Sequence, residues 1–197
     1  MREVEVKSVV EDIDACRSRV EAAGGRLVFA GSLADVRYDS EAGALVGRDH
    51  VLRLRIYESD GQRHGHLDWK GSTRYEDGYK VREELSTPAG DPAALAEMLS
   101  RLGFVVVKEI DRTIMQYEVV GATVRFEQYP RMDALVEVEG PPGAIEDAIR
   151  ITQLPRAGFT AQRLPDFVAR FEERTGQRAA VSRRELEGRY DFRNGDG

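Results

Sequence analysis

The chain has 197 residues, with 35 Asp plus Glu against 29 Lys plus Arg and a net charge of −6. That balance argues against general nucleic-acid binding, which needs a basic footprint. Charged residues at 32% and hydrophobic ones at 41% describe a globular protein, not a disordered one. No apolar run approaches the roughly 20 residues of a membrane helix. The N-terminal stretch has no apolar export segment. The single Cys16 rules out an internal disulfide, so a cytoplasmic location is the expectation.

Period-2 alternation dominates the first two-thirds of the chain. A strand over Glu3–Val9 is followed by a helix that Asp12 or Asp14 caps, running to Ala23 and stopped by Gly24-Gly25. Strands are predicted over Arg26–Ala30, Leu33–Tyr38, His50–Tyr57, His64–Lys70 and Tyr79–Leu85. Ser59-Asp60-Gly61 and Glu76-Asp77-Gly78 supply hairpin turns between them. Asp91-Pro92 opens a helix to Leu102, with Leu95, Met98, Leu99 and Leu102 on one face. Val105–Glu118 is long for a single strand and suggests a bulge or bend. Gly121 marks a turn before strands over Ala122–Gln128 and Ala134–Val138. Helices near Ala144–Thr152 and Pro165–Thr175 come after Gly140-Pro141-Pro142. The expected organisation is one domain over residues 1–177, C-terminal helices included, and a polar tail over 178–197 with a frayed Asn194–Gly197 end.

The faces of the strands are more informative than their number. Glu3, Glu5 and Lys7 share one face of the first strand, and Val4 and Val6 the other. Arg53 and Arg55 oppose Leu52, Leu54 and Ile56; Lys80, Arg82 and Glu84 oppose Val81 and Leu85. His64, His66, Asp68 and Lys70 oppose Leu67 and Trp69. Arg125 and Glu127 oppose Val124 and Phe126, and Glu137 and Glu139 oppose Val136 and Val138. An open sheet with one solvated face is the commonest source of such alternation. Here the charged faces carry few of the Ser, Thr and Gln that usually dilute a solvent face. Acids mark the first and last strands and bases the middle ones, and strands at the two ends of a sheet meet only if it closes. A barrel with its charged faces inward requires a highly charged ligand: clustered carboxylates suit Mg2+ or Mn2+, and clustered Arg and Lys suit phosphoryl oxygens. His64-Gly65-His66 puts two imidazoles on one strand face, but hard-metal sites prefer oxygen. Cys16 fits a small buried hydrophobe, and Arg183-Arg184 a solvated pair.

The ordered series of charged motifs resembles the CYTH domain family, also called triphosphate tunnel metalloenzymes, which includes class IV adenylyl cyclases, thiamine triphosphatases and inorganic tripolyphosphatases. Glu3-x-Glu5-x-Lys7 is similar to its E-x-E-x-K hallmark. Asp35-Val36-Arg37-Tyr38-Asp39 resembles its D-x-Y-x-D strand with Arg37 in the Tyr position, and Leu52-Arg53-Leu54-Arg55 its L-R-x-R strand. Trp69-Lys70-Gly71, Arg82-Glu83-Glu84, Arg112 with Tyr117, and Glu127 with Leu135-Val136-Glu137-Val138-Glu139-Gly140 resemble the later motifs, in order, over about residues 1–175.

The resemblance implies an α+β fold: a closed or nearly closed eight-stranded antiparallel β-barrel with helices packed outside. It implies Mg2+ or Mn2+ on Glu3, Glu5, Glu127, Glu137 and Glu139. A triphosphate such as tripolyphosphate, ATP or thiamine triphosphate would be gripped by Lys7, Arg53, Arg55, Lys70, Arg82, Lys108, Arg112 and Arg125. Lys7, Lys70 and Glu84 are the candidate catalytic residues. A homodimer is among the assemblies it implies. Glu127 stands where Asp is usual, and Ile110 where a Lys is usual, with Lys108 on the same face two residues earlier. The abundance of phosphate grips and the lack of a recognisable adenine-binding element favour hydrolysis over cyclisation of ATP; a binding module without turnover is a third reading.

Overall fold

A computed structural model describes residues 2–189, among which there are nine strands and five α-helices. The strands are β1 (Arg2–Val9), β2 (Arg26–Ser40), β3 (Val51–Ser59), β4 (Gln62–Lys70), β5 (Arg74–Glu76), β6 (Tyr79–Ala89), β7 (Phe104–Val119), β8 (Ala122–Gln128) and β9 (Leu135–Glu139). The helices are α1 (Ile13–Ala22), α2 (Pro92–Arg101), α3 (Pro142–Thr152), α4 (Leu164–Thr175) and α5 (Arg183–Leu186).

All pairings are antiparallel, in the order β1-β9-β8-β7-β2-β3-β4-β6, and β1 returns to β6 to close the ring. β1 closes it with both edges: Glu5 and Lys7 face Glu139 and Glu137 on β9, while Glu3 and Glu5 face Arg82 and Lys80 on β6. The expected closed eight-stranded barrel is therefore present, with β5 as a ninth strand laid on β6. At three residues β5 is too short to show alternation, and the sequence reading did not contain it.

β2 is one strand, not the two expected. Gly31 lies inside it, where a Cβ would stand 2.2 Å from the carbonyl oxygen of Glu58. The glycine is there for close approach between β2 and β3, not for a turn. The long β7 carries the anticipated irregularity: its pairing with β2 shifts register between Arg37 and Tyr38, and again between Leu27 and Phe29. Three two-residue hairpin turns have both central residues at positive φ: Asp60-Gly61, Asp77-Gly78 and Val120-Gly121.

Helices cover the apolar outer face. α1 is capped by Asp12, which accepts from the Ala15 N–H at 2.8 Å. It buries Cys16 and Val20 together with Ile145, Ala148 and Ile149 of α3 against Val4, Val6, Val124, Phe126 and Val138. α2 covers Tyr38 and Leu54, with its Pro92 seated where a Cβ on Gly65 would lie 2.6 Å from the proline ring. Of the α2 face predicted to be apolar, only Leu99 is fully buried; Met98 and Leu102 are 59% and 74% exposed. No helix among the described residues is long and apolar enough to cross a membrane.

Part of the stretch expected as a polar tail is folded. Ala179, Ala180, Val181 and Ser182 are buried: Ala180 pairs with Arg131, and the Val181 carbonyl accepts from the Asp111 N–H at 2.8 Å. The apolar Ala-Ala-Val triplet is what anchors it. Arg184 meets Glu109 at 3.1 Å instead of standing free in solvent. The Asn194–Gly197 end lies outside the described residues.

Val120 is the one β-branched residue among the described positive-φ positions, at φ 47° and 49% exposed. Left-handed backbone costs a β-branched residue on the order of 1–2 kcal/mol. Val120→Asn is expected to raise stability by about 1 kcal/mol in urea unfolding, because Asn tolerates this conformation and little packing is lost.

Candidate active site

Closure turns the charged face of each strand into the wall of a tunnel with a cavity of about 490 Å³. Basic side chains outnumber acidic ones along its lining by ten to seven, in a chain whose overall charge is −6. Most are buried, including Glu3, Glu5, Arg53, Arg55, Lys70, Arg82, Arg112, Arg125, Glu127 and Glu137. Buried charges of this density persist only when paired.

Asp35 on β2 is the hub of one side. It meets Arg55 at 2.8 Å, Arg112 at 3.0 Å and Arg53 at 3.4 Å. Burial by itself would raise the Asp35 carboxyl, but these three guanidinium groups hold it well below its ordinary range. Arg53 is also held by Asp68 at 2.7 Å. Arg112 donates to Glu127 at 2.9 Å, and the Tyr129 hydroxyl donates to the other Glu127 oxygen at 2.6 Å. Burial, followed by the Glu127 charge, pushes the Tyr129 hydroxyl well above its usual range and keeps it a donor.

The opposite side is built from β1, β9, β4 and β6. Lys7 lies between Glu5, at 2.9 Å, and Glu137. Lys80 holds Glu5 at 2.6 Å and Arg125 holds Glu137 at 2.7 Å. Lys70 pairs with Glu3 and stands 3.3 Å from Glu84, which is itself 3.7 Å from Arg53. Arg82 turns to the carbonyls of Gly71 and Asp49, at 2.7 and 2.6 Å. Arg37 lies among Arg53, Arg82 and Arg112; burial first, then the charge of Arg53, brings its guanidinium down to about 10.

The fit of a hard cation can be tested on β1 and β9. Glu3 Oε2 is buried and accepts no hydrogen bond among the described residues. Glu139 is pushed up to about 7, first by burial and then by Glu137 and Glu3 beside it. An unsatisfied carboxylate oxygen and a carboxyl repelled by its neighbours are what a divalent cation relieves, and the donors are all oxygen. Among the described residues no three acidic, imidazole or thiol side chains are already gathered at metal-holding spacing. Lys7, Lys70 and Lys80 draw Glu5, Glu137 and Glu3 toward themselves.

The tunnel thus collects all the predicted site residues but one. Lys108 shares a register position with Arg37, yet it lines a separate groove beneath α4, with Pro165 between the two cavities. Ile110 keeps its place in the tunnel wall as an apolar patch. The sequence reading passed over Asp35, Lys80, Tyr129 and Arg163 as site residues. Alternation alone signalled Lys80, on the face of Arg82 and Glu84. Nothing local signalled Arg163, which α4 delivers to one mouth of the tunnel, where it pairs with Asp49 at 2.9 Å.

Asp35→Asn would leave three buried guanidinium groups undercompensated, a loss of about 3–5 kcal/mol at pH 7. Because its folded pKa is depressed, the stability that Asp35 contributes is complete above its ordinary value of 3.8 and lost as pH falls below it. Urea unfolding of both proteins should show a gap that is widest at neutral pH and narrows in acid.

A family model described as CYTH domain matches residues 1–146. No curated protein matches the chain. Solved structures do. A protein from Pyrococcus horikoshii OT3 has a TM-score of 0.70 at 22% identity, over 85% of this chain and 98% of that one. A candidate adenylate cyclase from Vibrio parahaemolyticus has 0.71 at 17%, over 85% and 97%. A candidate adenylyl cyclase from Hippeastrum, described as having a dominant triphosphatase activity, has 0.62 at 18%, over 89% and 96%. At these identities the likeness is one of fold.

Proposed function

The chain belongs to the CYTH domain family, and from that premise we propose that it is a metal-dependent enzyme that hydrolyses the terminal phosphate of an inorganic or organic triphosphate inside its tunnel. The observation that carries this reading is the cationic excess of the buried lining in an acidic protein. A long polyanion fits a tunnel whose cations are distributed along its length, and the described activity of the Hippeastrum protein agrees with it.

Arg53, Arg55 and Arg112, tied to one carboxylate, form a preset cradle for phosphoryl oxygens; their forks bind two oxygens at once. Arg82 and Arg125 extend the cradle toward β1. Lys7 and Lys70 place their charges where negative charge grows on the leaving phosphate oxygens. Glu84 positions Lys70 and Arg53 through its contacts with both. Glu3, Glu5, Glu137 and Glu139 would hold Mg2+ or Mn2+, which when bound supplies charge neutralisation to the phosphoryl oxygens. Glu127 is better employed orienting Arg112, which donates to one of its oxygens while the Tyr129 hydroxyl donates to the other. In the reaction water attacks the terminal phosphorus, the P–O bond to the bridging oxygen breaks, and the water's protons pass to the solvent. Catalysis is then positioning plus charge stabilisation.

Purified protein with Mg2+ or Mn2+ and tripolyphosphate, ATP or thiamine triphosphate should release inorganic phosphate, and chelation should stop it. Cyclic AMP as the product from ATP would replace hydrolysis by cyclisation, and binding without product would leave a carrier. Arg53→Lys keeps the charge and loses the fork, so kcat/KM should fall by about tenfold or more. Glu3→Gln should raise the Mg2+ needed for half-maximal rate by about tenfold; unchanged metal dependence would remove Glu3 from the metal set.

A further inference from the structure

The cations of the tunnel are not evenly spread. One level of the wall, read across β7, β2 and β3, is Ile110, Asp35, Arg55, so that a carboxylate stands beside a guanidinium. The next level, toward α4, is Lys108, Arg37, Arg53. Here Arg37 has a cation as its cross-strand partner on each side, an arrangement unfavourable to a sheet. Lys108 lines the groove beneath α4, whereas Arg37 and Arg53 both line the tunnel. The acids do not offset the two levels equally. Against the effect of burial, Asp35 raises the guanidinium groups of Arg55 and Arg112, and Glu137 raises that of Arg125. Arg37 moves the opposite way: burial and then Arg53 depress it, and Asp35, already shared by Arg53, Arg55 and Arg112, restores only part. Arg82 is depressed too, first by burial, with Arg163 adding to it. Arg82 and Arg163 meet at Asp49, the one on its carbonyl and the other on its carboxylate, and both line the tunnel. The positive surplus is thus gathered at the end where α4 begins.

We propose that Arg37 is a specificity-determining residue: it reads the second negative charge of a free chain-terminal phosphoryl group, and the tunnel thereby selects polyanions that end in an unesterified phosphate. The proposal rests on the triphosphate reading above and adds to it a requirement on the end of the substrate. A phosphoryl group inside a chain, or one capped by an ester, has a single ionisable oxygen. A free terminal group has two, and the second ionises at about pH 6. A surplus of cations at one level of the wall is offset by a doubly charged group better than by a singly charged one. The planar fork of Arg37 also matches two terminal oxygens at once.

Calorimetric titration with two methyl esters of tripolyphosphate, each with Mg2+, tests it. The monomethyl ester keeps one free terminal phosphoryl group. The dimethyl ester, capped at both ends, keeps none and has the same number of phosphorus atoms. At about pH 8 the wild type is expected to bind the monomethyl ester about tenfold more tightly, the size of one charge-assisted contact. That preference should shrink below about pH 6, where the terminal group holds its second proton. Arg37→Gln should bring the ratio to within about twofold by weakening the monomethyl ester alone. Arg37→Lys keeps the charge without the fork, so it should fold and retain a ratio of about threefold. Lys108→Gln, outside the tunnel, should leave the ratio as in the wild type. A wild type that binds both esters equally would overturn the proposal without recourse to any variant. So would equal weakening of both esters in Arg37→Gln and Arg37→Lys, which would make Arg37 one more general cation of the wall. Loss of the preference in Lys108→Gln but not in Arg37→Gln would move the reading of charge to the wrong residue and overturn it too. If neither ester nor tripolyphosphate binds the wild type, the triphosphate reading itself falls, and this inference with it.

Discussion

The structure depends on β1 using both of its edges. By pairing with β9 on one side and β6 on the other it converts a sheet into a ring, and the ring removes bulk solvent from a face that alternation has loaded with charge. An open sheet of the same sequence would expose Glu5 and Glu137 to water. The closed one buries both and must satisfy them with Lys7, Lys80 and Arg125. Desolvating so many ions is unfavourable compared with an apolar core of the same volume. Such a lining is a device for binding, not for stability.

Its design differs on the two sides. Around Asp35 one carboxylate organises three arginines, leaving most of their N–H donors to point elsewhere. Around β1 and β9 carboxylates and lysines alternate, and single ammonium groups can yield their partners without breaking a fork. The first arrangement is rigid and suits fixed recognition of phosphoryl oxygens. The second is exchangeable and suits a cation that takes over the carboxylates.

Two departures from the family pattern acquire a physical meaning. Ile110 leaves an apolar patch in the wall where a further lysine would stand, and Lys108 does not replace it, because Pro165 of α4 divides the cavities. The extra methylene of Glu127 reaches both Arg112 and Tyr129, so that carboxylate serves the arginine side of the tunnel. Tyr129, which local sequence gave no reason to notice, fixes Glu127 by donating to it.

Much of the barrel was legible because alternation is a local property: each of Glu3, Glu5, Arg53, Arg55, Arg82 and Glu137 declares its face through the valines and leucines beside it. The hairpin turns were legible because Asp-Gly pairs favour the required backbone. What local pattern could not reveal was anything that depends on two distant segments meeting. Gly31 reads as a break until the Glu58 carbonyl is placed against it. Ala179–Val181 reads as part of a tail until β7 offers it a partner. Arg163 reads as a surface arginine until α4 brings it to the tunnel. Sequence by itself determined which residues would face inward, since strand geometry fixes that two residues at a time. Only the tertiary structure decided which charge meets which, because ion pairing and stacking are set by distances across the ring.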